Sequence, residues 1–129
     1  MNKIIVEVSI GELLDKISIL EIKQEKIKDP EKLDFITNEH SILKNQLENN
    51  IKSDDKLNKL FQSLKEINAK LWVIEDDKRQ CEKDKNFGEK FIKLSRDVHF
   101  LNDDRAKIKL EINNHTGSVI KEIKEYTSY

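Results

Sequence analysis

The strongest constraint on the fold is a run of apolar residues spaced alternately three and four positions apart between residues 57 and 81. The spacing continues for more than three heptads through Leu57, Leu60, Leu64, Ile67, Leu71, Ile74, Lys78 and Cys81. Residues spaced this way share one face of an α-helix, as they do in a helical bundle or a coiled-coil seam. The segment is therefore predicted to be one long amphipathic helix.

A second stripe of the same kind follows a short break at residues 84–88. It contains Phe87, Phe91, Leu94, Val98, Leu101, Arg105, Ile108 and Ile112. Two long helices joined by a short turn predict an antiparallel helical hairpin. Arg105 is the exception within this stripe, because it occupies a position where an apolar side chain is expected.

Helix-start signals divide the rest of the chain. Ser9 and Glu12 have the spacing of a capping box, so a first helix should begin at this point. Asp29 followed by Pro30 predicts the start of a second helix. With one proline and three glycines in 129 residues, the prediction is an all-α fold, an antiparallel bundle of about four helices in one domain spanning 1–129. Residues 1–8 should form a short extended segment, and residues 114–129 a short C-terminal helix or a tail.

Composition narrows the class of protein. The formal net charge is −1, whereas a general nucleic-acid binder carries a basic surplus, so no nucleic-acid partner is predicted. No stretch approaches the roughly 18 consecutive apolar residues of a membrane span. Cys81 is the only cysteine, so an internal disulfide is impossible and a reducing cytoplasm is the expected compartment.

Polar residues predicted to face the interior are the candidate site. Folding the two long helices about the turn near residue 85 brings positions at equal distance from that turn together. Side chains on the inner faces, joined by Glu21 from the first helix, then form one layer, comprising Glu21, Asn68, Trp72, Glu75, Arg96, Asn102 and Arg105.

Three interpretations of this layer stay open, and in one of them the second long helix rotates so that Arg105 reaches solvent along its own stem. The layer can be a buried network whose charges are paired and which fixes the register of the helices, because an unpaired buried charge costs several kcal/mol. It can instead be a ligand pocket in which Arg105 or Arg96 binds a carboxylate or phosphate while Glu21 or Glu75 acts as acid, base or metal ligand. No metal site and no cofactor are predicted, because zinc-like spacing and the Glu-x-x-His pattern of di-metal bundles are both missing.

Several stretches resemble a known family. They are SIGELLDKISILEIK (9–23), LWVIEDDKR (71–79), FGEKFIKLSRDV (87–98) and NDDRAKIKLEIN (102–113). Over nearly the whole chain they are similar to a bacterial family of short all-helical proteins that is catalogued only as a domain of unknown function. The resemblance implies a helical fold and a set of characteristic polar positions, carried here by Asp15, Lys16, Glu21, Lys23, Trp72, Glu75, Asp76, Arg96, Asn102, Asp103, Arg105, Lys109 and Asn113.

The stripes and the lack of a catalytic constellation favour a non-enzymatic helical interaction or assembly module. Such a module would form a homodimer, in part through coiled-coil-like packing, or bind a larger protein partner. The alternative is a small helical-bundle enzyme or ligand-binding protein with a polar pocket. A chorismate-mutase-like site needs cations around a dicarboxylate, and metal-dependent nucleotide hydrolysis needs clustered carboxylates. No catalytic residue can be assigned to either activity.

Overall fold

The computed structural model describes residues 2–129 and contains four α-helices. They are α1 (Ile10–Lys26), α2 (Pro30–Asn50), α3 (Asp55–Lys83) and α4 (Glu89–Thr116). No β-strand occurs among the described residues. The prediction of an all-α fold with four helices is therefore confirmed.

Side-chain caps begin the first three helices, the first two of them at the positions predicted from the sequence. The Ser9 hydroxyl accepts the Glu12 N–H of α1 at 3.0 Å, and the Asp29 carboxylate accepts the Lys32 N–H of α2 at 3.3 Å. Asp54 caps α3 by accepting the Leu57 N–H at 2.7 Å. Each cap satisfies a backbone donor that has no partner within its own helix.

α1 is the central helix, because it packs against α2, α3 and α4. Its buried residues surround the helix axis and include Gly11, Leu14, Asp15, Ile17, Ser18, Leu20 and Ile22. By contrast, α2 packs along α1 and contains no buried residue. Because α1 is short and buried nearly all round, it is stabilised by tertiary packing rather than by its own helix propensity.

The main core cluster joins α1 to the base of the hairpin formed by α3 and α4. It consists of Leu14 on α1, Leu57 and Leu64 on α3, and Ile112 on α4. Further along the hairpin, toward the turn, the packing becomes sparse: Cys81 is the only buried residue between Leu71 and Lys109. The hairpin is thus covered by α1 at its base and more sparsely packed over the rest of its length.

Apart from Ser9 and Ser118, which are buried, the described residues before α1 and after α4 lie on the surface. Residues 2–8 form neither helix nor strand, and Ile4 is 91% exposed. The chain after Gly117 forms a tail rather than a short helix, because Gly117 adopts the left-handed conformation that ends α4 (φ 69°) and reverses the chain. The tail lies beside α4, with Glu122 bonded to Lys109 and the Tyr129 ring packed on His99 and Phe100.

The N-terminus of α1 meets the C-terminal end of α4 at Gly11. The Ile10 N–H donates to the Ser118 hydroxyl at 3.1 Å, and the Gly11 N–H donates to Oδ1 of Asn113 at 2.7 Å. A Cβ at Gly11 would lie 2.6 Å from the backbone oxygen of Lys109. Only glycine allows the two backbones to approach this closely.

No helix in the described part of the chain combines the length and the apolar character needed to cross a bilayer.

We expect Gly11→Ala to lower the free energy of unfolding by about 1–3 kcal/mol, because the added methyl group forces α1 away from α4. Chemical denaturation followed by circular dichroism measures the change. Gly88→Ala is the matched control: a Cβ there meets its nearest atom, Oδ1 of Asn86, at 3.5 Å, which is ordinary contact. Equal stability of the two alanine variants would contradict the close approach at Gly11.

Candidate functional site

The candidate site is organised around the carboxylate of Asp15, which is 1% exposed. Arg105 reaches across from α4 and binds this carboxylate with two nitrogens, Nε to Oδ1 at 3.0 Å and Nη2 to Oδ2 at 2.5 Å. Asn68 on α3 donates a further hydrogen bond to Oδ1 at 2.8 Å. One buried carboxylate on α1 is therefore bound by side chains of both hairpin helices.

Ser18, one turn further along α1, accepts the second hydrogen bond from the side-chain amide of Asn68. The Asn68 Nδ2 group donates both to Asp15 and to the Ser18 hydroxyl, the latter at 2.8 Å. The Ser18 hydroxyl in turn donates to the backbone oxygen of Asp15 at 2.8 Å. Both hydrogens of the Asn68 amide are used, which fixes its orientation.

Lys109 lies one turn after Arg105 on α4 and adds a second cation. Its Nζ is 2.6 Å from Glu12, 3.2 Å from Glu122 and 3.8 Å from Oδ2 of Asp15. Its side chain is 10% exposed. We call Asp15, Ser18, Asn68, Arg105 and Lys109 the Asp15 cluster.

Hydrogen bonds and charges set the protonation states in this cluster. Burial alone raises the pKa of Asp15, but the hydrogen bonds from Arg105 and Asn68 and the charges of Arg105 and Lys109 outweigh it, so this pKa lies below its ordinary value. The hydrogen bond with Asp15 raises the pKa of Arg105. Burial lowers the pKa of Lys109, but bonding to Glu12 and the nearby negative charges raise it above its usual value overall. Asp15 is therefore ionised and both cations are charged at neutral pH.

The structure brings together five of the seven residues predicted to form the polar layer. Asn68, Trp72, Glu75 and Arg105 line one groove, and Asn102 accepts a hydrogen bond from Nη1 of Arg105 at 3.3 Å. The two others lie elsewhere. Glu21 extends from α1 toward α2 and α3, and Arg96 lies on the exposed face of α4.

Glu21 belongs to a separate ionic group. Its carboxylate lies 3.1 Å from Nε2 of His40 on α2 and 3.4 Å from Nζ of Lys65 on α3. Lys65 also bonds Glu25 at 2.9 Å, and this hydrogen bond raises the pKa of Lys65. Arg96 instead places its guanidinium 5.9 Å from the centre of the Phe100 ring.

A groove of about 350 Å³ adjoins the Asp15 cluster. We call it the Trp72 groove. Its lining comes from α1, α3 and α4, and comprises Ile19, Ile22, Asn68, Leu71, Trp72, Glu75, Asp76, Arg79 and Arg105. Among residues 2–129, no three His, Cys, Asp or Glu side chains lie close enough together to hold a metal ion.

Asp15, Ser18 and Lys109 were not among the predicted layer residues. Helical spacing on α1 places Glu12, Asp15 and Ser18 on one face, but nothing local indicates that this face meets Arg105. The one available signal was the resemblance described under Sequence analysis, which implied Asp15, Lys109 and Asn113 as polar positions of interest.

Comparison with known proteins agrees with that resemblance. The model of a family of unknown function, DUF6165, matches residues 4–129. The chain belongs to this family. The match includes every residue of the Asp15 cluster. No curated protein and no solved structure gave a match to the chain.

The Asp15 cluster of this DUF6165 protein links three helices through one buried charge. Within the described residues, every buried side-chain nitrogen or oxygen has a hydrogen-bond partner. A carboxylate bonded on two sides by Arg105 and Asn68 cannot move by one helical turn without losing those bonds. The arrangement therefore fixes the register of α1 on the hairpin, as buried polar residues fix the register of coiled coils.

We expect Arg105→Leu to lower the free energy of unfolding by about 3 kcal/mol, because it leaves the Asp15 carboxylate buried with only Lys109 nearby as a cation. Urea denaturation measures the loss. The double variant Asp15→Ala/Arg105→Leu should lose less than the sum of the two single variants. Arg96→Leu removes an exposed arginine and should change stability by no more than about 0.5 kcal/mol. Additive losses would show that Asp15 and Arg105 do not interact.

The low pKa of Asp15 predicts a pH dependence of stability. Since the folded pKa lies below the ordinary value of 3.8, the ionised group stabilises the fold fully above that pH. The contribution is lost as the pH falls below 3.8 through the folded pKa. We therefore expect Asp15→Asn to be less stable than the wild type at pH 7, and the difference to shrink on acidification.

Urea denaturation at several pH values tests this expectation. Asp34→Asn, which removes an exposed carboxyl on α2, controls for the general loss of one negative charge. A difference between wild type and Asp15→Asn that stays constant as the pH falls would contradict the assignment.

Proposed function

We propose that the protein is a non-enzymatic helical module that self-associates through the hairpin arm, the part of α3 and α4 from Trp72 to Leu101. The observation that carries the proposal is that Cys81 is the only buried residue in this arm. A two-helix hairpin cannot bury its apolar stripes by itself, because each helix covers only one side of the other.

Many apolar side chains in the arm are not buried within the chain. Those that are exposed or half-buried are Val73, Ile74, Phe87, Phe91, Ile92, Leu94, Val98, Phe100 and Leu101. Six of the nine, all but Val73, Ile92 and Phe100, belong to the two heptad-like stripes, a spacing that suits helix-to-helix packing of the coiled-coil type. A second arm packed on the first would complete a four-helix arrangement and remove this surface from water.

A groove that begins at Ala69 and Lys70, just before the arm, and continues along it supports a second copy of this chain as the occupant. The arm groove has a volume of about 610 Å³ and is lined by Ala69, Lys70, Val73, Ile74, Asp97, Phe100 and Leu101. Lys70 on α3 and Asp97 on α4 carry opposite charges at its two sides. In a two-fold dimer the same patch meets itself, so Lys70 of each copy can pair with Asp97 of the other.

The proposal also includes a cellular compartment and an alternative partner. We place the protein in a reducing compartment, the bacterial cytoplasm, because its single cysteine is buried and unpaired. A larger protein that presents an amphipathic helix to the arm groove is the alternative partner, and the oligomeric state of the pure protein separates the two.

We expect analytical ultracentrifugation to find a dimer at micromolar concentration, and Val73→Glu to shift it to the monomer. Val73 is 48% exposed, so a charge there is tolerated in the monomer but is costly in an apolar interface. Phe35→Glu is the matched control, since Phe35 is a 73% exposed apolar residue on α2, outside the arm. Wild type that stays monomeric at high micromolar concentration, or a Val73→Glu variant that dimerises normally, would refute the proposal.

Charge reversal tests the orientation of the two copies. Lys70→Glu alone should weaken the dimer, because it places like charges opposite each other across the two-fold axis. Adding Asp97→Lys should restore dimerisation, although this substitution also removes the 2.8 Å contact between Asp97 and Lys93 within one chain. A double variant no stronger than Lys70→Glu would contradict this pairing.

A further inference from the structure

The Trp72 groove lies on a different side of α3 from the arm groove and has mixed character. Ile19, Ile22 and Leu71 give it apolar surface, and the Trp72 ring adds an aromatic wall. Its volume of about 350 Å³ lies at the lower end of the range of ordinary ligand pockets. A small molecule with an apolar body of a few carbon atoms fits this space.

Four charged side chains complete the lining, two of each sign. Trp72, Glu75, Asp76 and Arg79 share one face of α3, since they are three, four and seven positions apart, and Arg105 faces them from α4. Within residues 2–129, no ion pair joins Glu75, Asp76 or Arg79 to another side chain. These three groups are therefore available to a ligand.

Arg105 is held in place with part of its guanidinium unused. Three of its five N–H groups donate to Asp15 and Asn102 through Nε, Nη1 and Nη2. One N–H on each terminal nitrogen is left, and the side chain is 28% exposed where it lines the groove. An arginine fixed by a buried carboxylate is preorganised to bind a second anionic group, because it loses little freedom on binding.

The balance of charge decides the class of ligand. A simple anion would be attracted by Arg79 and Arg105 but repelled by Glu75 and Asp76. A simple cation would be attracted by the two carboxylates but repelled by the two arginines. A molecule that carries one charge of each sign can place each beside its opposite. We propose that the Trp72 groove binds a free amino acid with an apolar side chain, its carboxylate at Arg79 and Arg105, its ammonium at Glu75 and Asp76, and its side chain against Trp72.

The experiment uses Trp72 itself as the reporter, because it is the only tryptophan in the chain. L-leucine, L-methionine and L-phenylalanine are titrated into the full-length protein while Trp72 emission and the melting temperature are recorded. We expect a saturable change in emission and a higher melting temperature with at least one of them. Isoamylamine and isocaproate, which are leucine without its carboxylate and without its amine, should bind at least about tenfold more weakly.

Two variants test the charged groups without disturbing the fold. Arg79→Gln and Glu75→Gln each remove one exposed charge that makes no ion pair, so their melting temperatures without ligand should match the wild type. Each should weaken amino-acid binding about tenfold, as expected for the loss of a charge-assisted hydrogen bond. Arg96→Gln is the matched control, because Arg96 lies outside the groove, and it should bind like the wild type.

Three results would overturn the proposal. The first is the lack of any saturable emission change with all three amino acids up to about 10 mM, a concentration well above that of a weak millimolar site. The second is equal affinity for leucine and its two half-molecules, which would indicate apolar adsorption. The third is wild-type affinity in Arg79→Gln and Glu75→Gln while both remain folded.

Discussion

The ion pair between Asp15 and Arg105 is the interaction on which the arrangement of the helices depends. A carboxylate that is 1% exposed is tolerated only where its charge and its lone pairs are satisfied, and here Arg105 and Asn68 satisfy them from two different helices. Since the apolar residues of α1 surround its axis, hydrophobic burial alone would allow several rotations of this helix. The buried charge selects one of them, because any other rotation of α1 would leave the Asp15 carboxylate buried without its partners.

A second constraint acts where the two ends of the folded chain meet. The first N–H groups of α1 find their acceptors in Ser9, Asn113 and Ser118, of which the last two follow it by more than one hundred residues. Gly11 makes the approach possible because it has no side chain between the backbones. Together with the Asp15 cluster, this junction fixes α1 at two points on α4, which defines its direction as well as its rotation.

Local signals in the sequence predicted the helices well, and long-range contacts were predicted only in part. Ser9, Asp29 and the break at residues 84–88 mark boundaries because caps and turns depend on a few neighbouring residues. Arg105 stood out because it interrupts an apolar stripe, and Asn68 and Asn102 were expected beside it because both hairpin helices share one turn. Asp15 was missed because the connection between α1 and the hairpin runs through α2, so no spacing rule relates residue 15 to residue 105.

The two grooves of the hairpin differ in the kind of surface they present, and this difference follows from the helix period. Trp72 and Val73 are neighbours in sequence, yet successive residues of a helix point about 100° apart, so one lines the Trp72 groove and the other the arm groove. The arm groove is mostly apolar, with one charge of each sign, whereas the Trp72 groove contains two charges of each sign beside the hydrogen-bonded Asp15 cluster. A second copy packed over Val73 therefore leaves Trp72, Glu75 and Arg79 open to water. Assembly through one face and binding of a small molecule at the other are compatible within the same hairpin, and neither requires the Asp15 cluster to rearrange.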